Sequence, residues 1–379
     1  MPKPEHYEVA IIGGGVIGLS LAWELSRRGR SVCVIERDQP GRAASWAGAG
    51  MIPPGPAREF WPAAEPYEQL AGLSGELHRK WHELLFDETG IDNGYRESGS
   101  IYLAEDENTT AALCERQGRW QQLGIEANSL SESQLANYEP VLAKAASSIE
   151  VPGESQIRNP RHLQALVHAC KQDGVRFVLG TEASGFHEDD KRLMEVKAGD
   201  HRIVAEQFCV TAGCWSGKLT GKLGIKLPIQ PLRGQIALLK GAPGILKRIV
   251  NVGSRYLVPR EDGRILVGST VEEVGFNART TNEGIAGLLE FVARIAPPLA
   301  ELSIEKTWAG LRPATPDGLP YLGPCGDLEN AWVATGHFRA GLQLSTGTAR
   351  VMADAMCEKQ PEISLAAFSL DRQSLRCEV

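Results

Sequence analysis

The residues whose spacing most directly implies chemistry are Gly13, Gly15 and Gly18, in the order G-x-G-x-x-G, with Glu36 standing 18 residues beyond the last glycine. Gly13 permits a tight turn, Gly15 lets a pyrophosphate approach backbone N–H groups at the positive end of a helix, and Gly18 lets helix and strand pack closely. A carboxylate at Glu36 would accept the ribose hydroxyls of an adenosine. The pattern indicates a dinucleotide and is silent on NAD versus FAD. Three further features favour FAD. The motif stands near the first residue with no catalytic domain before it. Phe208 to Gly213 (FCVTAG) reads as a strand ending in a turn of the kind that returns to a flavin nucleotide. Gly336 to Leu342 (GHFRAGL) precedes a C-terminal helix whose first amides could face the electron-rich pyrimidine end of an isoalloxazine.

Other reactive residue types carry no site by themselves. His78 and His82 stand one helical turn apart, but no glutamate lies between them and no third ligand is evident, so they read as a satisfied or solvated helix face. Eight cysteines, at positions 33, 114, 170, 209, 214, 325, 357 and 377, form no C-x-x-C pair. Neither a metal site nor a disulfide framework is expected.

The elements that must position these residues begin with a βαβ unit. Tyr7 to Ile12 reads as a buried strand, Val16 to Arg28 as a helix stopped by Gly29, and Ser31 to Ile35 as a second strand. Parallel strands joined by a crossover imply a doubly wound α/β sheet. Gly41 to Gly55 (GRAASWAGAGMIPPG) is too apolar for a solvated loop and too broken for an element, as backbone lying against a ligand would be. Helical spacing runs from Ala63 to Leu85, Thr109 to Gly124 and His162 to Gly174. From Pro228 the style changes to alternating strands, Gln235 to Leu239, Arg255 to Pro259 and Arg264 to Gly268, which implies an antiparallel sheet. A helix from Asn282 to Ile295 follows, then a passage from Trp308 to Gly323, a strand at Ala331 to Ala334 and a last helix from about Ser345 to Glu358. The expected architecture is α/β: a discontinuous Rossmann-type domain (1–88, 151–222 and 308–379) interleaved with an α+β substrate domain on a mostly antiparallel sheet (89–150 and 223–307).

Composition narrows the function classes. The 379 residues carry 40 Lys+Arg against 47 Asp+Glu, a formal charge of −7, with 42% hydrophobic and 23% charged residues. This is ordinary globular composition with room for two or three domains. No basic block offers a footprint for nucleic acid or an anionic membrane. The uncharged run from Val9 to Trp23 is too short to span a bilayer, and two acids in the first eight residues are unlike a signal peptide. A cytoplasmic protein is expected.

Seven stretches, YEVAIIGGGVIGLSLAWELSRRG, SVCVIER, SWAGAGM, TAGCWSG, RYLVPREDGRILVGST, WAGLRPATPDGLPYLG and ATGHFRAG, together resemble the FAD-dependent D-amino-acid oxidase superfamily, most closely its bacterial glycine oxidase branch, associated with thiamine thiazole synthesis. The resemblance covers nearly the whole chain. It implies a small amino acid substrate, oxygen as acceptor with hydrogen peroxide as product, and a homo-oligomer, dimer or tetramer. Residue by residue, Arg312 looks like the guanidinium that clamps the substrate carboxylate, Tyr256 like the hydroxyl that hydrogen-bonds it, and Arg339 like a second arginine near carboxylate and flavin. A fork of Arg donors matches a carboxylate in two-point geometry, which agrees. Structural alternatives stay open: an ion pair for Arg312, a core position for Tyr256, a packing role for Arg339. Met51 resembles a residue near the substrate. The flavin contacts implied are Gly13, Gly15, Val16, Ile17, Gly18, Glu36, Arg37, Ser45, Ala49, Gly50, Met51, Ala183, Ala212, Gly213, His337, Phe338, Arg339, Ala340, Gly341 and Leu342. Related monomeric sarcosine oxidases anchor FAD through a cysteine in the stretch matching Trp308 to Pro313, and this chain has none there, so noncovalent FAD is implied. Two competing functions keep part of this picture: a D-amino-acid dehydrogenase passing electrons to a quinone, and a dinucleotide-binding redox sensor without turnover.

Overall fold

The computed structural model describes residues 4–372; the expected end segments 1–3 and 373–379, with Cys377, lie outside the described residues. The strand Glu5–Ile12 enters a turn at Gly13, whose φ of +119° suits only glycine, and the helix Val16–Ser26 starts immediately after Gly15. Val16 through Leu25 are all buried, because this helix lies between the sheet and the helices Pro66–Thr89, Asn159–Gln172 and Ser345–Met356. Trp23 meets Trp81 edge to face at 4.6 Å in that layer. At about 1.5–3 kcal/mol per large apolar side chain removed from water, this cluster anchors the turn that carries the glycines.

Five parallel strands form the centre of the first sheet, in the order Arg176–Leu179, Val32–Glu36, Glu5–Ile12, His201–Val210 and Ala331–Thr335. The antiparallel ribbon Ala183–Asp189 with Arg192–Ala198 pairs with the first half of His201–Val210, leaving its last residues to Ala331–Thr335. The strand ends at Gly13, Glu36 and Thr211 therefore meet at one carboxyl edge, where open α/β sheets bind ligands.

The second sheet has eight strands and is antiparallel except where Ile249–Val252 runs parallel to Ser100–Ala104. Its two faces follow the period of two. Ala237, Leu239, Val250, Leu257, Ile265 and Val267 pack against Leu288, Phe291, Val292 and Ile295 of the helix Asn282–Ile295. Ile236, Ile249, Tyr256, Val258 and Leu266 face the other way, toward Ala49 and Met51. A small sheet of Met51–Ile52, Arg96–Glu97 and Ser155–Gln156 joins the two parts.

Three expectations need correction. The passage from Trp308 is a strand to Ala314: Ser303–Ala314 pairs with Gln230–Lys240 throughout, so the boundary expected at 308 cuts through a strand. On the face that includes Gly310 and Arg312, both of which line the cavity, glycine and arginine break the apolar alternation that would mark the strand. The run Gly41 to Gly55 does hold elements, the one-turn helix Ala44–Ala47 and the strand Met51–Ile52. The last helix, Ser345–Met356, begins beyond the Gly336 to Leu342 turn, and its Gly347 amide donates to Ser74 Oγ at 3.2 Å. The turn, rather than that helix end, faces the cavity.

Candidate active site

A single cavity of about 450 Å³ runs from the glycine turn to the face of the antiparallel sheet. At the first end, Glu36 Oε2 accepts from the Gly14 amide at 2.7 Å and Oε1 from the Asp38 amide at 3.0 Å, which leaves lone pairs for further donors. The helix Val16–Ser26 has no acid in its first turn and no side-chain cap at Gly15. Its Val16 amide donates to Ser45 Oγ at 2.9 Å, and Ser45 is held from behind by Asn159 Nδ2, which donates to its carbonyl at 2.8 Å. A Cβ on Gly15 would meet only Ser45 Oγ at 3.3 Å and otherwise project into open space, whereas one on Gly18 would lie 2.0 Å from Gly13 O. Gly18 thus packs helix on strand and does not line the cavity. An acid-free helix end, a bare glycine and a strand-end carboxylate are the donor and acceptor set that a dinucleotide requires, and the residues fit one.

All the other expected cofactor contacts line this cavity: Gly13, Gly15, Val16, Ile17, Glu36, Arg37, Ser45, Ala49, Gly50, Met51, Ala183, Ala212, Gly213, His337, Phe338, Arg339, Ala340, Gly341 and Leu342. Arg37 stacks on Trp215 at 3.6 Å. His337 is buried and bonds Thr348 Oγ1 at 3.0 Å, and burial pushes its pKa down to about 3, so it is neutral and structural in this setting. The Phe338 amide donates to Pro313 O at 2.9 Å, which ties the turn bearing Arg339 to the end of the strand bearing Arg312.

Arg312, Tyr256 and Arg339 line the other end. Arg312 Nη2 donates to Ser269 Oγ at 2.6 Å and Nη1 to Thr270 O at 3.1 Å, both neutral acceptors. Its guanidinium rests on Gly234, where a Cβ would stand 2.1 Å from Nη2; the Tyr256 ring rests likewise on Gly268, where a Cβ would stand 2.5 Å away. Burial pushes the Arg339 pKa below the usual range, and the like charge of Arg312 adds to that. Among the described residues neither guanidinium has an acid as ion-pair partner. Two cations facing one cavity without a counter-ion form a site for an anion.

Several residues of this site were not singled out from the sequence, although Arg260, Trp308 and Cys214 lie within the stretches that carry the resemblance. Arg260 is buried, donates to Ala49 O at 2.7 Å, Ile157 O at 3.1 Å and Gln156 Oε1 at 2.8 Å, and so pins the backbone before Gly50. Burial, with like charges at Arg158 and Arg96, pushes its pKa down to about 9. Trp308 Nε1 holds Ala47 O at 3.0 Å. Cys214 lines the cavity with its thiol on Leu311 O at 3.3 Å, and burial pushes its pKa up to about 12. Glu154 and Asn251 also line the cavity. No motif marks them, since only the pairing register of distant strands brings them there. His78 and His82 do not share a site: His78 Nε2 lies 3.0 Å from Leu342 O and His82 Nδ1 2.8 Å from Asn93 Oδ1. Among the described residues no cluster of three metal-ligating side chains exists, and no helix is long and apolar enough to cross a membrane.

The family model described as FAD dependent oxidoreductase (DAO) matches residues 8–355. The chain belongs to this family. Glycine oxidase of Pseudomonas aeruginosa is 34% identical over 366 residues, which span 95% of this chain and 98% of that protein. The crystal structure of glycine oxidase from Geobacillus kaustophilus superposes with a TM-score of 0.92 at 32% identity, covering 97% of this chain and 99% of that one. The bifunctional protein ThiO/ThiG of Trichormus variabilis is 33% identical over 373 residues, 96% of this chain and 55% of that protein. As an FAD-dependent oxidoreductase of glycine oxidase type, the chain has in its DAO fold both a dinucleotide cradle and an anion site on one cavity.

Proposed function

We propose that the chain oxidises the α-amine of glycine or a similarly small amino acid, such as sarcosine, D-alanine or D-proline. The observation that carries this reading is the pair Arg312 and Arg339, unmatched by any acid among the described residues, on the wall that faces the dinucleotide cradle. The likeness to glycine oxidases supports it. Arg312 presents its fork to the substrate carboxylate and the Tyr256 hydroxyl adds a hydrogen bond, which fixes the direction of the substrate Cα. No carboxylate or histidine stands among these three as a base, so the amine binds neutral and the residues supply orientation and charge. Glu36, the bare Gly15 backbone, Ser45 and the Gly336 to Leu342 turn would hold FAD. When bound, FAD would supply the acceptor for the Cα hydride and the means of passing the electrons to oxygen, with hydrogen peroxide as product. The released imine hydrolyses to a 2-oxo acid and ammonia when the substrate is a primary amine, to glyoxylate and methylamine when it is sarcosine, and to a ring-opened amino oxo acid when it is D-proline. FAD is held without a covalent bond: the strand Ser303–Ala314 has no cysteine, and burial keeps the Cys214 thiol protonated.

The purified protein should show flavin bands that bleach on anaerobic addition of glycine, and acid precipitation should release all the yellow colour. Peroxide assays with glycine, sarcosine, D-alanine and D-proline rank the substrates. Bands that stay oxidised with every one of them would refute the reading, and activity with an artificial quinone alone would replace oxygen as acceptor.

A further inference from the structure

Arg312 is aimed by a short stretch of chain that is itself held from the other face of the sheet. Gly268 pairs with Ile236 and Glu272 with Arg233, so this chain takes four steps where its partner strand takes three, and one residue bulges at Ser269 and Thr270. Bulges re-aim groups beside active sites. Here Thr270 Oγ1 accepts from the Gln235 amide at 2.9 Å. A side-chain hydroxyl thereby fills the place of the backbone acceptor that a regular ladder would supply. The Thr270 carbonyl is left free of the ladder, and it accepts from Arg312 Nη1 at 3.1 Å while Ser269 Oγ accepts from Nη2 at 2.6 Å.

Side chains of a strand alternate between its faces. Gly234, under the Arg312 guanidinium, faces the cavity, so Arg233 and Gln235 face the helix Asn282–Ile295, where Gln235 lies against Gly284. On that side Glu272 gathers a cluster. Its Oε1 accepts from Thr270 Oγ1 and from Gln235 Nε2, the latter at 2.8 Å, and its Oε2 accepts from Arg233 Nη2. Arg233 is 4% exposed and also donates from Nη1 to Arg279 O at 2.9 Å. Two backbone bonds between Arg233 and Glu272, at 2.9 and 3.0 Å, already close this end of the loop. A buried ion pair adds little net stability over an apolar pair of similar size, so stability alone does not account for it. Thr270 joins the two faces, its hydroxyl belonging to the helix-side cluster and its carbonyl to Arg312.

The geometry points to Glu272 as a positioning residue for the anchor of the substrate carboxylate. Acting through Thr270 from the face away from the cavity, it sets the direction of the Arg312 fork without touching substrate or cofactor. Arg233 and Gln235 hold Glu272 in place, and the paired carboxylate stays on the helix side, where it does not occupy Arg312. This inference deepens the amino acid oxidase reading and rests on its assignment of Arg312.

The test uses the holoenzyme and glycolate, a carboxylate with a hydroxyl where glycine has its amine, and binding is read from perturbation of the visible flavin bands. Thr270→Val keeps the carbonyl and removes both hydroxyl bonds, and Glu272→Gln keeps the shape and removes the charge. Each should weaken glycolate at least tenfold while FAD stays bound. Thr270→Ser, which keeps the hydroxyl, should stay within twofold of the parent. A role confined to folding the loop would act whether or not the guanidinium is present. The second-order rate of anaerobic flavin reduction by glycine is therefore compared in an Arg312→Ala background, where adding Thr270→Val should change it less than twofold. Parent-like glycolate binding in either Thr270→Val or Glu272→Gln, a Thr270→Ser variant as weak as Thr270→Val, or a tenfold further loss in the double variant would each overturn the positioning role. Anaerobic glycine added to the parent separates the two readings. Bleaching with glycolate affinity unmoved by the variants overturns the positioning role alone, whereas the expected glycolate pattern without bleaching keeps that role and overturns the oxidase reading.

Discussion

Replacing Gly234 with Ala should displace the Arg312 guanidinium without touching its charge. The added Cβ would stand 2.1 Å from Nη2 and 2.2 Å from Nη1, so the fork must retreat by more than an ångström to regain ordinary contact. The obstacle is the end of a flexible side chain, and Gly234 lies within the strand Gln230–Lys240, so the fold and FAD retention should survive. Alanine even lowers the entropy cost of that strand by about 0.5–1 kcal/mol. The bonds to Ser269 Oγ and Thr270 O stretch or break, and the carboxylate meets its partner in the wrong place. A misplacement of about 1 Å costs on the order of 100-fold, or about 2.7 kcal/mol. The assay is anaerobic flavin reduction by glycine in a stopped-flow instrument. If the effect runs through the guanidinium, Gly234→Ala should add nothing in an Arg312→Ala background. Parent-like rate and half-saturation in Gly234→Ala, or a further loss in the double variant, would refute the placement of the anchor.

Arg312→Lys should be nearly as poor as Arg312→Ala, each losing about 2–5 kcal/mol in kcat/KM, because a point charge does not reproduce the fork; steady-state peroxide assays decide, and a Lys variant near the parent would defeat the two-point contact. Glu36→Ala should weaken FAD retention by about 1–3 kcal/mol, read by fluorescence titration of the apoprotein, and unchanged affinity in a folded variant would move the nucleotide site. Burial pushes the pKa values of His78, His162 and His337 down to about 4, 3 and 3, while the unfolded chain protonates them near 6.5. The unfolded state therefore binds more protons between those values, so their contribution is full above about pH 6.5 and falls on acidification by roughly 1.4 kcal/mol per pH unit for each. Urea midpoints at pH 7 and 5 should show the loss, with a shallower slope in His337→Gln; a midpoint that rises toward pH 5 contradicts the assignment.

The parts of the site legible in the chain are those where backbone geometry dictates residue type. Gly13 needs its positive φ, Gly18 needs room against Gly13 O, and Glu36 ends a strand at the sheet edge, so one local window holds the whole requirement. The helix Asn282–Ile295 and the strands Arg255–Pro259 and Arg264–Gly268 were equally plain, their period and turn residues agreeing. The wall of the substrate end is different in kind. Glu154 and Asn251 are 97 positions apart and meet only because Ser100–Ala104 and Ile249–Val252 pair in one register. Gly234 and Gly268 matter as seats for side chains from other strands, which no local window reveals. Ser303–Ala314 was hidden for a related reason, since its cavity face had been given over to binding and no longer alternated like a packed strand.

The strand His201–Val210 has a consequence for synthesis on the ribosome. Its first half is covered on both sides by segments already made, but the edge at Phe208 to Val210 stays bare until Ala331–Thr335 emerges. At about 5–20 residues per second, the intervening stretch takes roughly 6 to 24 s to translate. During that interval the nascent chain displays an open parallel edge beside the unfinished nucleotide cradle, a template for pairing with neighbouring chains. Cofactor capture is thereby postponed until Ala331–Thr335 has emerged, and the yield of yellow protein should respond to translation speed and chaperone supply.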